Sequence, residues 1–82
     1  MPYITKAART RVALDGPQNS GQLNYAITKL LIDYVGDNPN YELIAMAISA
    51  CECAKLEFYR RVAAPYEDVK REQNGDVYNE DQ

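Results

Sequence analysis

The most apolar part of the chain lies between residues 41 and 61 and has almost no polar side. On a helix its apolar residues point in nearly every direction; they are Leu43, Ile44, Met46, Ala47, Ile48, Ala50, Cys51, Cys53, Ala54, Leu56 and Phe58. A helix that is apolar all round has to be surrounded by protein or lipid. One short partner helix cannot surround it in a chain of 82 residues, so the pattern predicts a homo-oligomer.

A second helix is predicted over residues 20–36, where apolar residues recur at i, i+4, i+7 and i+11. This four-residue stripe consists of Leu23, Ile27, Leu30 and Tyr34. Asn19 or Ser20 is the expected N-cap, and Gly36 suits the position after the helix end. The turn of residues 37–40 is short enough to make the following helix antiparallel, so the two helices should form a hairpin.

The apolar helix should run over residues 41–64, because Pro65 lacks an amide hydrogen and disfavours helical geometry at Ala64. A C-terminal helix is predicted over 65–74 and ends at Asn74-Gly75. The pattern leaves open whether Pro65 kinks one long helix or divides two.

The ends of the chain complete one all-α domain over residues 1–82. Residues 1–19 form an arm that holds a short helix from Lys6 to Leu14, with Thr5 as its cap. Residues 75–82 form an acidic tail.

Composition limits the partners. The net charge of −3 and the pI near 4.8 argue against nucleic-acid binding. The first residues do not resemble a signal peptide, and polar residues interrupt the apolar stretch before it reaches membrane-spanning length. We therefore expect a protein of the cytoplasm, with no membrane partner. Cys51 and Cys53 project about 200° apart on a helix, which favours small buried apolar residues over a disulfide or a metal pair.

The chain offers little catalytic chemistry. It has no histidine, and neither Ser20 nor Ser49 has a basic neighbour in sequence. It has no glycine-rich phosphate loop and no metal-ligand spacing. We expect no enzymatic activity, no cofactor and no bound metal.

Charged and aromatic residues concentrate between Lys55 and Tyr66. One interpretation is a solvated helix face, on which Glu52 pairs with Lys55 and Glu57 pairs with both following arginines. The other is a ligand site, in which guanidinium groups and tyrosine rings bind a phosphate-bearing molecule. That candidate site consists of Lys55, Tyr59, Arg60, Arg61 and Tyr66.

Asn24 and Thr28 form a smaller polar pair beside the four-residue stripe, one helical turn apart. Short polar groups in such a place need hydrogen-bond partners. They either bond across to the apolar helix or contribute to a ligand-binding pocket at a subunit seam.

Several segments of the chain resemble a family of short proteins of unknown function found in phage and bacterial genomes. The matching segments are Pro2 to Thr5, Leu23 to Leu30 (LNYAITKL), Cys51 to Arg61 (CECAKLEFYRR), Pro65 to Asp68 (PYED) and Asn74 to Tyr78 (NGDVY). The resemblance implies an all-helical fold, phage origin and no known activity. It also implies that eight residues belong to the family pattern: Asn24, Thr28, Lys55, Glu57, Arg60, Arg61, Tyr66 and Glu67.

Two functional hypotheses follow. The first is a non-enzymatic phage accessory protein that binds or sequesters a phosphate-bearing small molecule, such as a nucleotide signal of host defence, at an oligomer seam. The alternative is a protein–protein interaction module, an adaptor or inhibitor of a host or phage protein that uses its helical face.

Overall fold

The computed structural model describes residues 1–80, which contain helices and no strand. The elements are α1 (Lys6–Asp15), α2 (Ser20–Val35), α3 (Tyr41–Phe58), a π-helical turn (Tyr59–Ala63) and α4 (Ala64–Asn74). The predicted all-α class is confirmed. The end of the predicted acidic tail, Asp81 and Gln82, lies outside the described residues.

The chain divides into two compact units, residues 1–47 and the part from residue 48 onward. The boundary falls inside α3, whose first two turns belong to the first unit. The organisation as one domain stays a prediction.

Three of the helices begin at a capping residue whose side chain accepts a hydrogen bond from the backbone amide three residues later. Thr5 Oγ1 accepts from the amide of Ala8 at 3.1 Å, and Asn19 Oδ1 accepts from the amide of Gln22 at 2.9 Å. Asn40 Oδ1 accepts from the amide of Leu43 at 2.9 Å. Each bond satisfies an amide that has no partner within the first turn of a helix. The cap of α1 is therefore as predicted, and Asn19, not Ser20, caps α2.

Glycines end α2 and α4 where the backbone takes positive φ. Gly36 has φ +80° and Gly75 has φ +89°, and each donates its amide to the carbonyl four residues earlier. Residues with a Cβ are strained at such φ values. For this reason α2 stops at Val35, and Gly36 takes the predicted position after the helix end.

Contacts in the first unit join α1, the residues before it and α2. The two helices pack against each other. Arg9 is half-buried: its Nε donates to the carbonyl of Ile4 at 3.1 Å, and its guanidinium carbon lies 5.8 Å from the centre of the Tyr25 ring. Val12 of α1 is buried, with 8% of its surface exposed. One arginine thus links three segments of this unit.

The half-buried face of α2 is not the four-residue stripe. Tyr25, Thr28, Leu31 and Val35 are half-buried, whereas the stripe residues are 41–70% exposed. Tyr25 and Ile27 project about 160° apart, because successive residues turn by about 100°. The hairpin packing stays a prediction.

α3 keeps most of its apolar residues exposed. Ala47 is buried, and Leu43 and Cys51, one turn before and after it, are half-buried. Cys53 is exposed, so the expectation of two buried cysteines is wrong for that residue. None of the helices in residues 1–80 has the length and continuous apolar character needed to cross a bilayer.

Candidate functional site

The helix continues through Pro65, with one wide turn immediately before it. The amide of Ala64 donates to the carbonyl of Tyr59, five residues earlier, instead of four as in an α-helix. Proline cannot donate to the carbonyl four residues before it, and a π-helical turn is one way to accommodate that loss. Pro65 therefore does not divide the chain into two separate helices, but the helix is not a regular α-helix in the turn before it. Pro65 follows a π turn that contains three of the candidate site residues, Tyr59, Arg60 and Arg61.

Two of the predicted cations are held by carboxylates. Lys55 Nζ lies 3.0 Å from Glu52 Oε1, and Arg60 Nη2 lies 2.7 Å from Glu57 Oε2. The same arginine nitrogen also donates to the other oxygen of Glu57, at 2.9 Å. All four side chains are more than half exposed, so each pair contributes only about 0.3–0.5 kcal/mol to stability.

Arg61 differs from the other two cations. In residues 1–80 it has no salt bridge and no side-chain hydrogen bond, although Glu57 lies one turn earlier at i−4. Glu57 is occupied by Arg60. The predicted pairing of Glu57 with both arginines is therefore wrong for Arg61, whose exposed guanidinium keeps its donors free for another group.

Tyr59 has a partner that the sequence analysis did not place at the site. Its hydroxyl donates to Oε1 of Glu67, eight residues later, across the π turn. This hydrogen bond, with the negative charge of the carboxylate and slight desolvation as smaller causes, raises the pKa of Tyr59 above 10.0. The phenol therefore stays a neutral donor at neutral pH. The one sequence signal for this contact is Pro65, which lies between Tyr59 and Glu67 and disturbs regular helix geometry.

Tyr66 lies on α4 and is 65% exposed. The ammonium group of Lys70, one turn later, is 5.7 Å from the centre of its ring, within the range of a cation–π contact. The aromatic face thus already has a cation beside it.

The charges of this region balance. Between residues 52 and 72 there are five cationic and five acidic side chains: Lys55, Arg60, Arg61, Lys70 and Arg71 against Glu52, Glu57, Glu67, Asp68 and Glu72. A site for a phosphate needs a local excess of positive charge. The free guanidinium of Arg61 is the feature of the cluster that meets this need.

Asn24 and Thr28 lie in the first unit and bond to each other. The hydroxyl of Thr28 donates to Oδ1 of Asn24 at 3.2 Å along α2. This contact satisfies the threonine hydroxyl without a partner on α3. Whether the pair contributes to a seam between subunits stays a prediction.

Two shallow open grooves occur away from the predicted residues. One, of about 380 Å³, lies in the second unit along the end of α4 and the turn after it, beside Glu67, Lys70 and Tyr78. The other, of about 400 Å³, lies in the first unit beside Arg11, Gly16 and Gln22. None of the seven predicted site residues lines either groove. Residues 1–80 contain no group of three His, Cys, Asp or Glu residues that could hold a metal ion.

Residues 1–77 match a family described as a domain of unknown function (DUF6899). The chain belongs to this family. The match includes every predicted site residue and confirms membership of a family of unknown function. The DUF6899 description assigns no activity, and phage origin stays a prediction. No curated protein and no solved structure matches the chain significantly.

Proposed function

We propose that this DUF6899 protein is a non-enzymatic interaction module that assembles with itself through α3 and docks onto a phage or host protein. The supporting observation is the exposure of long apolar side chains on and just after α3. Ile48 is 64% exposed, Leu56 58% and Phe58 66%. Apolar surface costs free energy in water, and contiguous patches of it mark interaction sites.

The proposed assembly is an antiparallel hairpin of α2 and α3, several copies of which form a helical bundle. A closed symmetric bundle can surround a helix that is apolar on all sides. In residues 1–80, Val12 and Ala47 are the buried hydrophobic residues. Such a small core favours a protein whose stability comes from contacts between copies.

The experiment is native mass spectrometry together with sedimentation equilibrium on the purified chain. We expect a discrete oligomer that dissociates when Ile48→Glu places a charge in the α3 surface. Ser49→Glu is the matched control, because it adds the same charge at the next position, which is exposed and not apolar. A wild-type chain that stays monomeric at all concentrations would refute the assembly.

A second candidate function is anion binding at Arg61. It ranks below the interaction module because carboxylates already hold two of the predicted phosphate-binding cations, Lys55 and Arg60. In this proposal Arg61, with Tyr66 nearby in sequence, binds a phosphate group of a small molecule, such as a nucleotide signal of host defence. Asn24 and Thr28 are proposed to contribute to a seam between subunits. Guanidinium forks suit phosphate oxygens better than point charges do.

Anion binding is tested by calorimetric titration with ATP and with inorganic phosphate. We expect Arg61→Gln to abolish binding, while Arg60→Gln keeps most of it because Glu57 already occupies that guanidinium. Equal loss in both variants would point to a general charge effect. No heat of binding in the wild type would refute this candidate.

The cytoplasm of a bacterial host is the proposed location, and phage origin is the proposed source. Both are implied by the resemblance to phage and bacterial proteins. Nucleic acid is not a proposed partner because the net charge is −3. A membrane is not a proposed partner either.

A further inference from the structure

The last residue of α4, Asn74, is exposed and is followed by Gly75. Asn74 is the one asparagine of the chain that precedes a glycine. The other asparagines are Asn19, Asn24, Asn38, Asn40 and Asn79. Glycine has no Cβ that would hinder its own backbone nitrogen, so this nitrogen can approach the side-chain amide carbon of the residue before it. Asn74 is therefore the asparagine best placed in the sequence to form a succinimide ring.

We propose that Asn74 is a site of spontaneous deamidation, and that the cap of α4 controls its rate. In this reaction the backbone nitrogen of Gly75 loses its proton to water or hydroxide and attacks Cγ of Asn74. The new N–Cγ bond closes a five-membered succinimide, and the side-chain nitrogen leaves as ammonia. Water then opens the ring at either of its two carbonyls, which gives aspartate or isoaspartate at this position.

The folded end of α4 opposes the reaction in two ways. The amide of Gly75 donates its hydrogen to the carbonyl of Arg71 at 2.9 Å, so the proton that must leave is held in a hydrogen bond. Asn74 still belongs to α4, and its ψ has to leave the helical range before the Gly75 nitrogen can face Cγ. Deamidation therefore requires the last turn of α4 to open.

The end of α4 should open more readily than the end of α1, which has the same kind of cap. Gly16 also has positive φ, and its amide lies 2.9 Å from the carbonyl oxygen of Val12. Val12 is buried in the first unit, where α1 packs against α2, whereas Arg71 is exposed. Local opening costs least where few buried contacts have to break.

Deamidation places a new negative charge where the helix disfavours it. A carboxylate on Asn74 lies at the negative end of the α4 dipole. The next residue, Gly75, lines the groove that already contains Glu67, Asp68 and Asp76. Isoaspartate also lengthens the backbone by one methylene group, which displaces the Gly75 amide from its cap. The modified chain should therefore lose helix at the end of α4, and the change is irreversible.

The experiment is incubation of the full chain at one mildly alkaline pH, in buffer and in guanidinium chloride. Peptide mass spectrometry follows every asparagine, and labelling by isoaspartate methyltransferase detects the rearranged product. We expect modification at Asn74 before any other asparagine, and at least about 10-fold faster in the unfolded chain because the cap has been removed. Asn74→Gln is the control, since its longer side chain would have to close a less favourable six-membered ring. The methyltransferase signal at this position should disappear in that variant.

Asp15→Asn provides a matched comparison within one molecule, because it places a second Asn-Gly pair at the capped end of α1. In the folded variant Asn74 should deamidate faster than the introduced amide, and in guanidinium chloride the two rates should be similar. An unmodified Asn74, or one modified equally fast in the folded and unfolded chain, would overturn the proposal. Faster reaction at the end of α1 in the folded variant would also contradict it. The reaction needs no contact through α3, so its rate can be measured whether or not the chain assembles.

Discussion

The contacts inside each of the two units differ in how far apart in sequence the contacting residues lie. In the first unit, Arg9 contacts a carbonyl before α1 and a tyrosine ring on α2, and the two helices pack on each other. In the second unit, the side-chain hydrogen bonds, ion pairs and cation–π contact among residues 48–80 span at most eight residues, the separation of Tyr59 and Glu67. The first unit therefore has tertiary structure of its own, whereas the second is a helix stabilised by its neighbours in sequence.

This difference indicates where the chain depends on partners. Local ion pairs add only a few tenths of a kcal/mol each, and isolated helices are marginal in water. A helix with exposed Leu56, Phe58 and Val62 gains most of its stability when those residues are covered. Assembly should thus stabilise the second unit more than the first.

The largest expected effect comes from Pro65→Ala, which would change the second unit. Restoring an amide hydrogen allows a regular α-helix and should raise the free energy of unfolding by up to about 3 kcal/mol. Eight residues of regular helix separate Tyr59 from Glu67 by about 12 Å along the axis, so their hydrogen bond should break. Thermal melts followed by circular dichroism measure the first effect.

The same variant tests the cause of the π turn. If Pro65 causes it, the pKa of Tyr59 should fall toward 10.0 in the variant, which carbon NMR of labelled tyrosine rings can follow. A Tyr59 pKa that stays raised would show that the wide turn has another origin.

A smaller effect is expected from Asn19→Ala in the first unit. The variant loses the hydrogen bond that the amide of Gln22 donates to Asn19 Oδ1, and this loss should lower the free energy of unfolding in urea by about 1 kcal/mol. Ser20→Ala is the control, since no side-chain bond of Ser20 occurs in residues 1–80. If the units unfold separately, only the transition of the first should move. A shift of both transitions would show that they are coupled.

The smallest effect concerns the exposed pair of Tyr59 and Glu67 and appears only at high pH. Because the folded-state pKa of Tyr59 is raised above 10.0, the pair stabilises the folded chain below pH 10 and loses that effect as pH rises through the folded value. Wild-type stability should therefore fall more steeply above pH 10 than that of Tyr59→Phe. Glu67→Gln keeps an acceptor but removes the charge, so its pH dependence should lie between the two. Identical curves for all three would contradict the pairing.

Features that depend on neighbours in sequence could be predicted from the sequence. The caps at Thr5 and Asn19 and the end of α4 at Asn74-Gly75 lie where expected, because each needs a side chain or a glycine within a few residues of the helix end. The pair of Lys55 and Glu52 follows in the same way from their spacing of three residues. The all-α class follows from the helical periodicity of the apolar residues.

Features that depend on competition between several possible neighbours were decided only by the tertiary structure. Sequence spacing allowed Glu57 to pair with either arginine, and the geometry gives it to Arg60. Spacing also made the four-residue stripe the natural packing face of α2, whereas Arg9 contacts the face of Tyr25 instead. Tyr59 and Glu67 meet because the backbone widens before Pro65. Periodicity identifies which residues share a face, but what lies against that face depends on the positions of distant segments.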